Sequence, residues 1–210
     1  PTVAMLAALD PRPDGLIVAS PCNPAGTMLA PDELAAIAHW CDANGVRLIS
    51  DEIYHGLHYD RPIATAAAFS PSAIVVNSFS KYFSMTGWRI GWLVLPEDLV
   101  RPVECLAQNM FISAPHIAQV AAEAAFDCEP ELQGNIARYR RARDLLVAAL
   151  PGAGFPRLSP AEGAFYIYAD VSDRTNDSRQ FCARMLAEAG VAASPGVDFD
   201  RARGHHFMRH

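Results

Sequence analysis

The sequence holds 17 basic side chains in 210 residues, and only one of them, Lys81, is a lysine. Arginine neither gives up its proton in a protein nor condenses with a carbonyl, whereas lysine does both. Lys81 sits in SFSK, directly after the apolar run AIVVN, and Arg89 follows eight residues later between Gly87 and Gly91. Two other loops place polar groups behind apolar runs. SPCNPAG, residues 20–26, supplies the carboxamide of Asn23, and DEIY, residues 51–54, supplies the acid Asp51 and the phenol Tyr54. With the hydroxyls of Ser78 and Ser80, the set contains an amine, a carboxylate, a phenol and donors for an anion. An aldehyde cofactor carrying a phosphate needs such a set: an amine to condense with, donors for the phosphate, and a carboxylate that keeps a ring nitrogen protonated.

These loops need a scaffold that brings strand ends together. Residues 16–19, 46–50 and 73–77 read as strands, the last two continuous enough to be buried on both faces of a parallel sheet. Residues 90–95 form a further strand, expected to run antiparallel. Leu34, Ile37, Ala38 and Cys41 recur at helical spacing and predict a helix over 31–44, entered at Pro31 and left at Asn44-Gly45. From residue 97 the pattern turns helical over 97–111, 116–126 and 130–150, and after a Pro/Gly-rich stretch come a strand at 164–171, a helix at 178–189 and a strand at 191–194. In open parallel sheets, ligands bind in the loops beyond the carboxyl ends of the strands, where all three polar loops fall. The expected fold is α/β: a three-layer, mostly parallel sheet with one antiparallel strand, and a smaller α+β C-terminal domain. The boundary is placed at residue 140, giving units 1–140 and 141–210.

Composition narrows the class. Hydrophobic residues make up 51% and charged residues 19%, which is globular, and a net charge of −6 draws the chain to neither nucleic acid nor an anionic membrane. The longest uncharged stretch, residues 62–80, is broken by Pro62, Pro71 and Asn77, so no membrane span is expected. Five cysteines, Cys22, Cys41, Cys105, Cys128 and Cys182, are odd in number and widely spaced, which suits a reducing cytoplasm and suggests no metal site. The opening PTVAMLAALD has neither an initiating Met nor a basic leader, and reads as a chain entered partway through.

NPAG, DEIY and SFSKYFSMTGWRIG resemble the signature segments of the class I/II aminotransferases, the fold-type-I pyridoxal-phosphate enzymes. The 28-residue step from Asn23 to Asp51 and the eight-residue step from Lys81 to Arg89 are similar to that family as well. The resemblance implies pyridoxal 5'-phosphate as cofactor and transfer of an amino group between an amino acid and a 2-oxo acid. It implies that Lys81 binds the cofactor aldehyde and shuttles the substrate proton, and that Asp51 pairs with the pyridine nitrogen. Tyr54 and Asn23 would hydrogen-bond the phenolic oxygen, Ile53 would pack behind the ring, and Ser78, Ser80 and Arg89 would hold the phosphate. In GHHFMRH, Arg209 resembles the family's clamp on the substrate α-carboxylate. The Asn23-Pro24 bond is expected to be cis, and the full-length protein a homodimer.

The chain departs from the family in places. Ala25 stands where Thr is usual, and Asn109 stands where aspartate-specific members carry an Arg, which disfavours a dicarboxylate bound in that way. Members run to about twice this length, so these 210 residues alone are expected to be inactive. Two other functions share the scaffold: a pyridoxal-phosphate lyase, or the cofactor-sensing domain of a transcription regulator. Bland readings stand beside the sharp ones. Arg89 and Arg209 also admit the lesser reading of surface cations, His205-His206 that of strand neighbours on opposite faces, Trp88 and Trp92 that of core, and Arg138, Arg140, Arg141 and Arg143 that of a solvated helix face.

Overall fold

The computed structural model describes residues 1–210. By its internal packing the chain divides into two compact units: Pro1–Pro21 with Met28–Gly134, and Cys22–Thr27 with Asn135–His210.

The first unit is built on a four-stranded sheet of β1 (Gly15–Ala19), β2 (Arg47–Asp51), β3 (Ile74–Ser78) and β4 (Gly91–Val94), in that order. The first three strands are parallel, and β4 pairs antiparallel with β3, Ser78 opposite Gly91. The sequence anticipates this arrangement, each strand within about a residue or two of its observed ends. The expectation for burial is corrected. In β2, Leu48 and Ser50 are buried while Arg47, Ile49 and Asp51 are only half-buried, so one face is fully covered rather than both. The covering element is α2 (Pro31–Asn44), whose Leu34, Ile37, Ala38 and Cys41 form one core with Val18, Leu48 and Val75.

Local chemistry fixes the ends of α2. The Glu33 carboxylate accepts from the Ala30 backbone N–H at 2.8 Å, and Gly45 closes the helix in the left-handed region at φ 68°. A short helix before the sheet, α1 (Val3–Ala7), was not anticipated; its signal is Thr2, whose hydroxyl accepts from Met5 N–H at 3.3 Å. Helices α3 (Glu97–Met110) and α4 (His116–Ala125) follow β4, and the division between the units falls within α5 (Glu129–Ala149). No helix is long and apolar enough to cross a membrane.

The second unit carries a smaller sheet in the order β5 (Arg157–Leu158), β6 (Tyr168–Asp170), β8 (Phe207–Arg209), β7 (Ser194–Pro195), all antiparallel, with α6 (Ser178–Ala189) packed on it through Cys182. The strand anticipated at 164–171 shrinks to three residues, because Ala164 takes a left-handed φ of 58°, a conformation that breaks the ladder. His205 and His206 lie on a 3-10 turn rather than a strand, so their rings come together, 4.0 Å between centroids. Arg143 leaves the solvated face predicted for it and donates to the Ala161 carbonyl at 3.3 Å.

An acid-sensitive tie joins β5 to β6. Arg157 donates from Nε to Asp170 at 3.0 Å and from Nη2 to the carboxylate of Asp173 at 2.6 Å. That hydrogen bonding holds the Asp170 carboxyl down at about 2, against an ordinary 3.8, and lowers Asp173 as well. Because the folded value is depressed, the stabilisation is present above the ordinary carboxylate range and disappears as pH falls through about 2. Arg157 remains 45% exposed, so water screens the pair. Arg157→Gln in the full-length protein is therefore expected to cost a small amount of stability near pH 6 and less as pH falls toward 2. Urea unfolding of both proteins at each pH checks this; an undiminished difference in acid would sink the explanation.

Candidate functional site

Because β2 and β3 are parallel, their carboxyl ends share one edge of the sheet, and β4 starts from that same edge. Asp51 is the last residue of β2, half-buried, with its Oδ1 accepting from Ile53 N–H at 3.1 Å. The chain then turns tightly, His55 N–H to the Glu52 carbonyl and Leu57 N–H to the Tyr54 carbonyl, both at 2.9 Å. This turn buries Tyr54 to 4% exposure.

Ser78 ends β3. Its hydroxyl lies 3.0 Å from the Ser80 hydroxyl and 3.2 Å from the Ile90 carbonyl, and accepts from Ser80 N–H at 3.0 Å. Phe79 turns inward, against Phe83 at 4.8 Å and Trp92 at 4.9 Å between ring centroids. Buried Phe79 and half-buried Phe83 flank Lys81 in sequence and anchor the turn that carries it. The Lys81 Nζ lies 5.6 Å from the centre of the Tyr54 ring, within reach of a cation–π contact. Trp92 is thus core, as expected, while Trp88 is 44% exposed and is not.

Arg89 closes the loop in the left-handed region, φ 53° and ψ 51°, and donates to the Thr86 carbonyl at 2.9 Å. A non-glycine residue held in that region stores strain of about 1 kcal/mol or more, and such strain concentrates at functional sites. The loop re-enters the sheet at Gly91, where an added Cβ would meet the Asn77 carbonyl at 2.6 Å, so no larger residue fits. Asp51, Ile53, Tyr54, Ser78, Ser80, Lys81 and Arg89 thus all come from loops at one sheet edge.

The second unit brings Asn23 and Arg209 together. The Cys22–Thr27 loop is closed by Cys22 N–H to the Thr27 carbonyl at 2.9 Å and Gly26 N–H to the Cys22 carbonyl at 2.8 Å, and Asn23-Pro24 is cis. Arg209, near the end of β8, donates from Nη1 to Asn23 Oδ1 at 2.7 Å and from Nη2 to Ser194 Oγ at 3.1 Å. Its guanidinium lies between two rings, 4.4 Å from the centre of Tyr166 and 4.5 Å from that of Phe199. An open hollow of about 280 Å³ lies alongside, lined in part by Tyr166, Ser194 and Arg209. Sequence reasoning missed Ser194, Tyr166 and Phe199, since their only signal is distance in space from Arg209.

The donor set suits an aromatic aldehyde that bears a phosphate. An amine, a carboxylate, a phenol, two hydroxyls and a guanidinium converge on one edge, and a guanidinium beside a carboxamide suits a carboxylate.

Comparison with known proteins agrees. The sequence profile of the family "Aminotransferase class I and II" matches residues 2–204. The chain is 55% identical over 213 aligned residues to a valine--pyruvate aminotransferase of Mycobacterium tuberculosis, spanning 100% of this chain and 55% of that protein. It is 36% identical over 203 residues to an aspartate/prephenate aminotransferase of Thermus thermophilus, spanning 94% of this chain and 52% of that protein. Among solved structures, an aminotransferase from Mycobacterium tuberculosis superposes with a TM-score of 0.97 at 54% identity, covering 100% of this chain and 55% of that one. The chain spans about half the length of the curated relatives it matches. With the motifs, the sheet edge and these matches in agreement, the chain belongs to the class I and II aminotransferases.

Proposed function

We propose that the full-length protein is a pyridoxal-phosphate-dependent aminotransferase that moves an amino group between an amino acid and a 2-oxo acid. The observation that carries the reading is the approach of Lys81, the only lysine of these 210 residues, to Tyr54 at the sheet edge that ends in Asp51. Pyridoxal phosphate, when bound, supplies an aldehyde for condensation with amines and a ring that withdraws electrons from the substrate Cα. Lys81 would supply the amine that holds the group and would take and return the proton at the substrate Cα. Asp51 keeps a proton on the ring nitrogen by charge attraction, as a carboxylate beside a cationic nitrogen does. Tyr54 and Asn23 would donate to the phenolic oxygen, Ile53 would pack behind the ring, and Ser78, Ser80 and Arg89 would hold the phosphate. Arg209 would bind the substrate carboxylate, its plane fixed by Tyr166 and Phe199.

Residues 1–140 then form part of a large cofactor-binding domain and 141–210 part of a small domain, a reading supported by the division within α5. A cytoplasmic homodimer completes it. The exposed apolar side chains of Met110, Phe111, Ile112 and Ile117 support a face that is covered in the assembled protein.

The test is an isotope transfer. Because the relative at 55% identity carries the name valine--pyruvate aminotransferase, valine and pyruvate are the first pair to try. Full-length protein given ¹⁵N-valine and unlabelled pyruvate should yield ¹⁵N-alanine, read by mass spectrometry. Label released as ammonia would show a lyase, and no conversion with any donor of a broad panel would favour the regulator.

A further inference from the structure

Directly behind the proposed cofactor residues lies a carboxylate that the mechanism does not use. Glu52 is 2% exposed. Its Oε1 accepts from Ser50 Oγ at 3.0 Å and from Ala66 N–H at 2.8 Å, and its Oε2 lies 3.3 Å from His55 Nδ1. Its backbone is held as firmly, with Glu52 N–H donating to the Val76 carbonyl at 2.8 Å and the Glu52 carbonyl accepting from His55 N–H. The contacts bracket the site residues. Ser50 immediately precedes Asp51, His55 immediately follows Tyr54, and Ala66 belongs to a distant turn that braces both.

A buried carboxylate is an expensive way to fill space. Leucine or glutamine of similar size would avoid the desolvation of a charge, so a wholly buried acid answers to something other than packing. The imidazole facing it is itself largely covered. Burial lowers the pKa of His55, the Glu52 carboxylate pulls it back up, His58 lowers it, and the Ser20 carbonyl and Asp51 raise it.

We propose that Glu52 is a positioning residue: its carboxylate, tied to Ser50, Ala66 and His55, fixes the 50–55 segment so that Asp51 and Tyr54 meet the cofactor in register. The inference rests on the pyridoxal-phosphate reading and names a residue that touches neither cofactor nor substrate.

The experiment uses full-length protein stripped of cofactor, and reads three quantities: the melting temperature, the Kd for pyridoxal phosphate by equilibrium dialysis, and the pH midpoint of the bound cofactor's visible absorbance. Wild-type protein that binds no pyridoxal phosphate would overturn the functional reading and this inference together. Given binding, Glu52→Gln is expected to raise Kd about tenfold or more and to move the absorbance midpoint, since the amide oxygen can still accept from Ser50 and Ala66 but an uncharged NH2 group replaces the carboxylate oxygen that faces the His55 ring nitrogen. Ile37→Val, on the buried face of α2, serves as the comparison: it should lower the melting temperature and leave Kd and midpoint as they were. Ser50→Ala keeps the carboxylate, loses one bond, and should raise Kd about fivefold. It decides the matter alone if Glu52→Gln does not fold. A Glu52 or Ser50 variant that melts earlier but keeps wild-type Kd and midpoint would reduce Glu52 to a purely structural residue and overturn the proposal, with the functional reading intact.

Discussion

Lys81→Arg in the full-length protein is expected to reduce amino transfer by about ten-thousand-fold or more while leaving the fold in place. The two effects separate on physical grounds. Arginine keeps the positive charge, and its guanidinium satisfies a cation–π contact with the Tyr54 ring at least as well as the ammonium now 5.6 Å from the ring centre. Lys81 is half-buried and the turn that holds it is anchored by Phe79 and Phe83, so the melting temperature should barely move. The chemistry cannot survive, because a guanidinium stays protonated and does not condense with an aldehyde. Steady-state formation of 2-oxo acid from the donor is the measurement. A Lys81→Arg protein within tenfold of wild type would place the reacting amine elsewhere.

Asp51→Asn is expected to lower kcat by about a hundredfold or more at saturating cofactor, on the scale of losing one preorganised electrostatic partner. The substitution is close to isosteric. The Asp51 Oδ1 accepts from Ile53 N–H at 3.1 Å, and the amide oxygen of asparagine accepts in the same place, so the DEIY turn should persist. What changes is the charge at the end of β2. On the proposed reading, a neutral amide would no longer hold a proton on the cofactor's ring nitrogen, and the ring would become a poorer acceptor of electrons from Cα. The loss should appear in kcat more than in the KM for amino acid, because the grip proposed for the substrate carboxylate lies elsewhere, at Arg209. Equal loss through KM alone would assign Asp51 to substrate binding instead.

The sheet was legible in advance for a physical reason. The apolar runs are short, β-branched and bounded by Gly, Pro and Asn, so the pattern leaves little freedom, and the period of Leu34, Ile37, Ala38 and Cys41 marks α2 to the residue. The second unit was harder. Its strands are two or three residues long, too brief for alternation to register, and Ala164 breaks the one longer run by adopting a left-handed conformation. Among the residues gathered at the sheet edge, those marked by their chemical type were legible in the sequence: a lone lysine, an acid at a strand end, an arginine between two glycines. Residues that act by holding others were not. Ser194, Tyr166 and Phe199 meet Arg209 only through folding, and nothing in the sequence marks Glu52 as a residue that holds others until its 2% exposure is known. The coarse reading of Arg89 as a surface cation is half true: the side chain is exposed, yet its left-handed backbone and its bond to the Thr86 carbonyl show a fixed position rather than a free one.

The account stands most directly on the bond between Lys81 and the cofactor, and one measurement addresses it. Full-length protein loaded with pyridoxal phosphate is reduced with borohydride, digested, and mapped by mass spectrometry for the pyridoxyl mass. The expected result is a single stoichiometric adduct on the peptide that contains SFSKYFSMTGWR, at Lys81. An adduct on any other lysine of the full-length protein, with the Lys81 peptide recovered unmodified, would contradict the account.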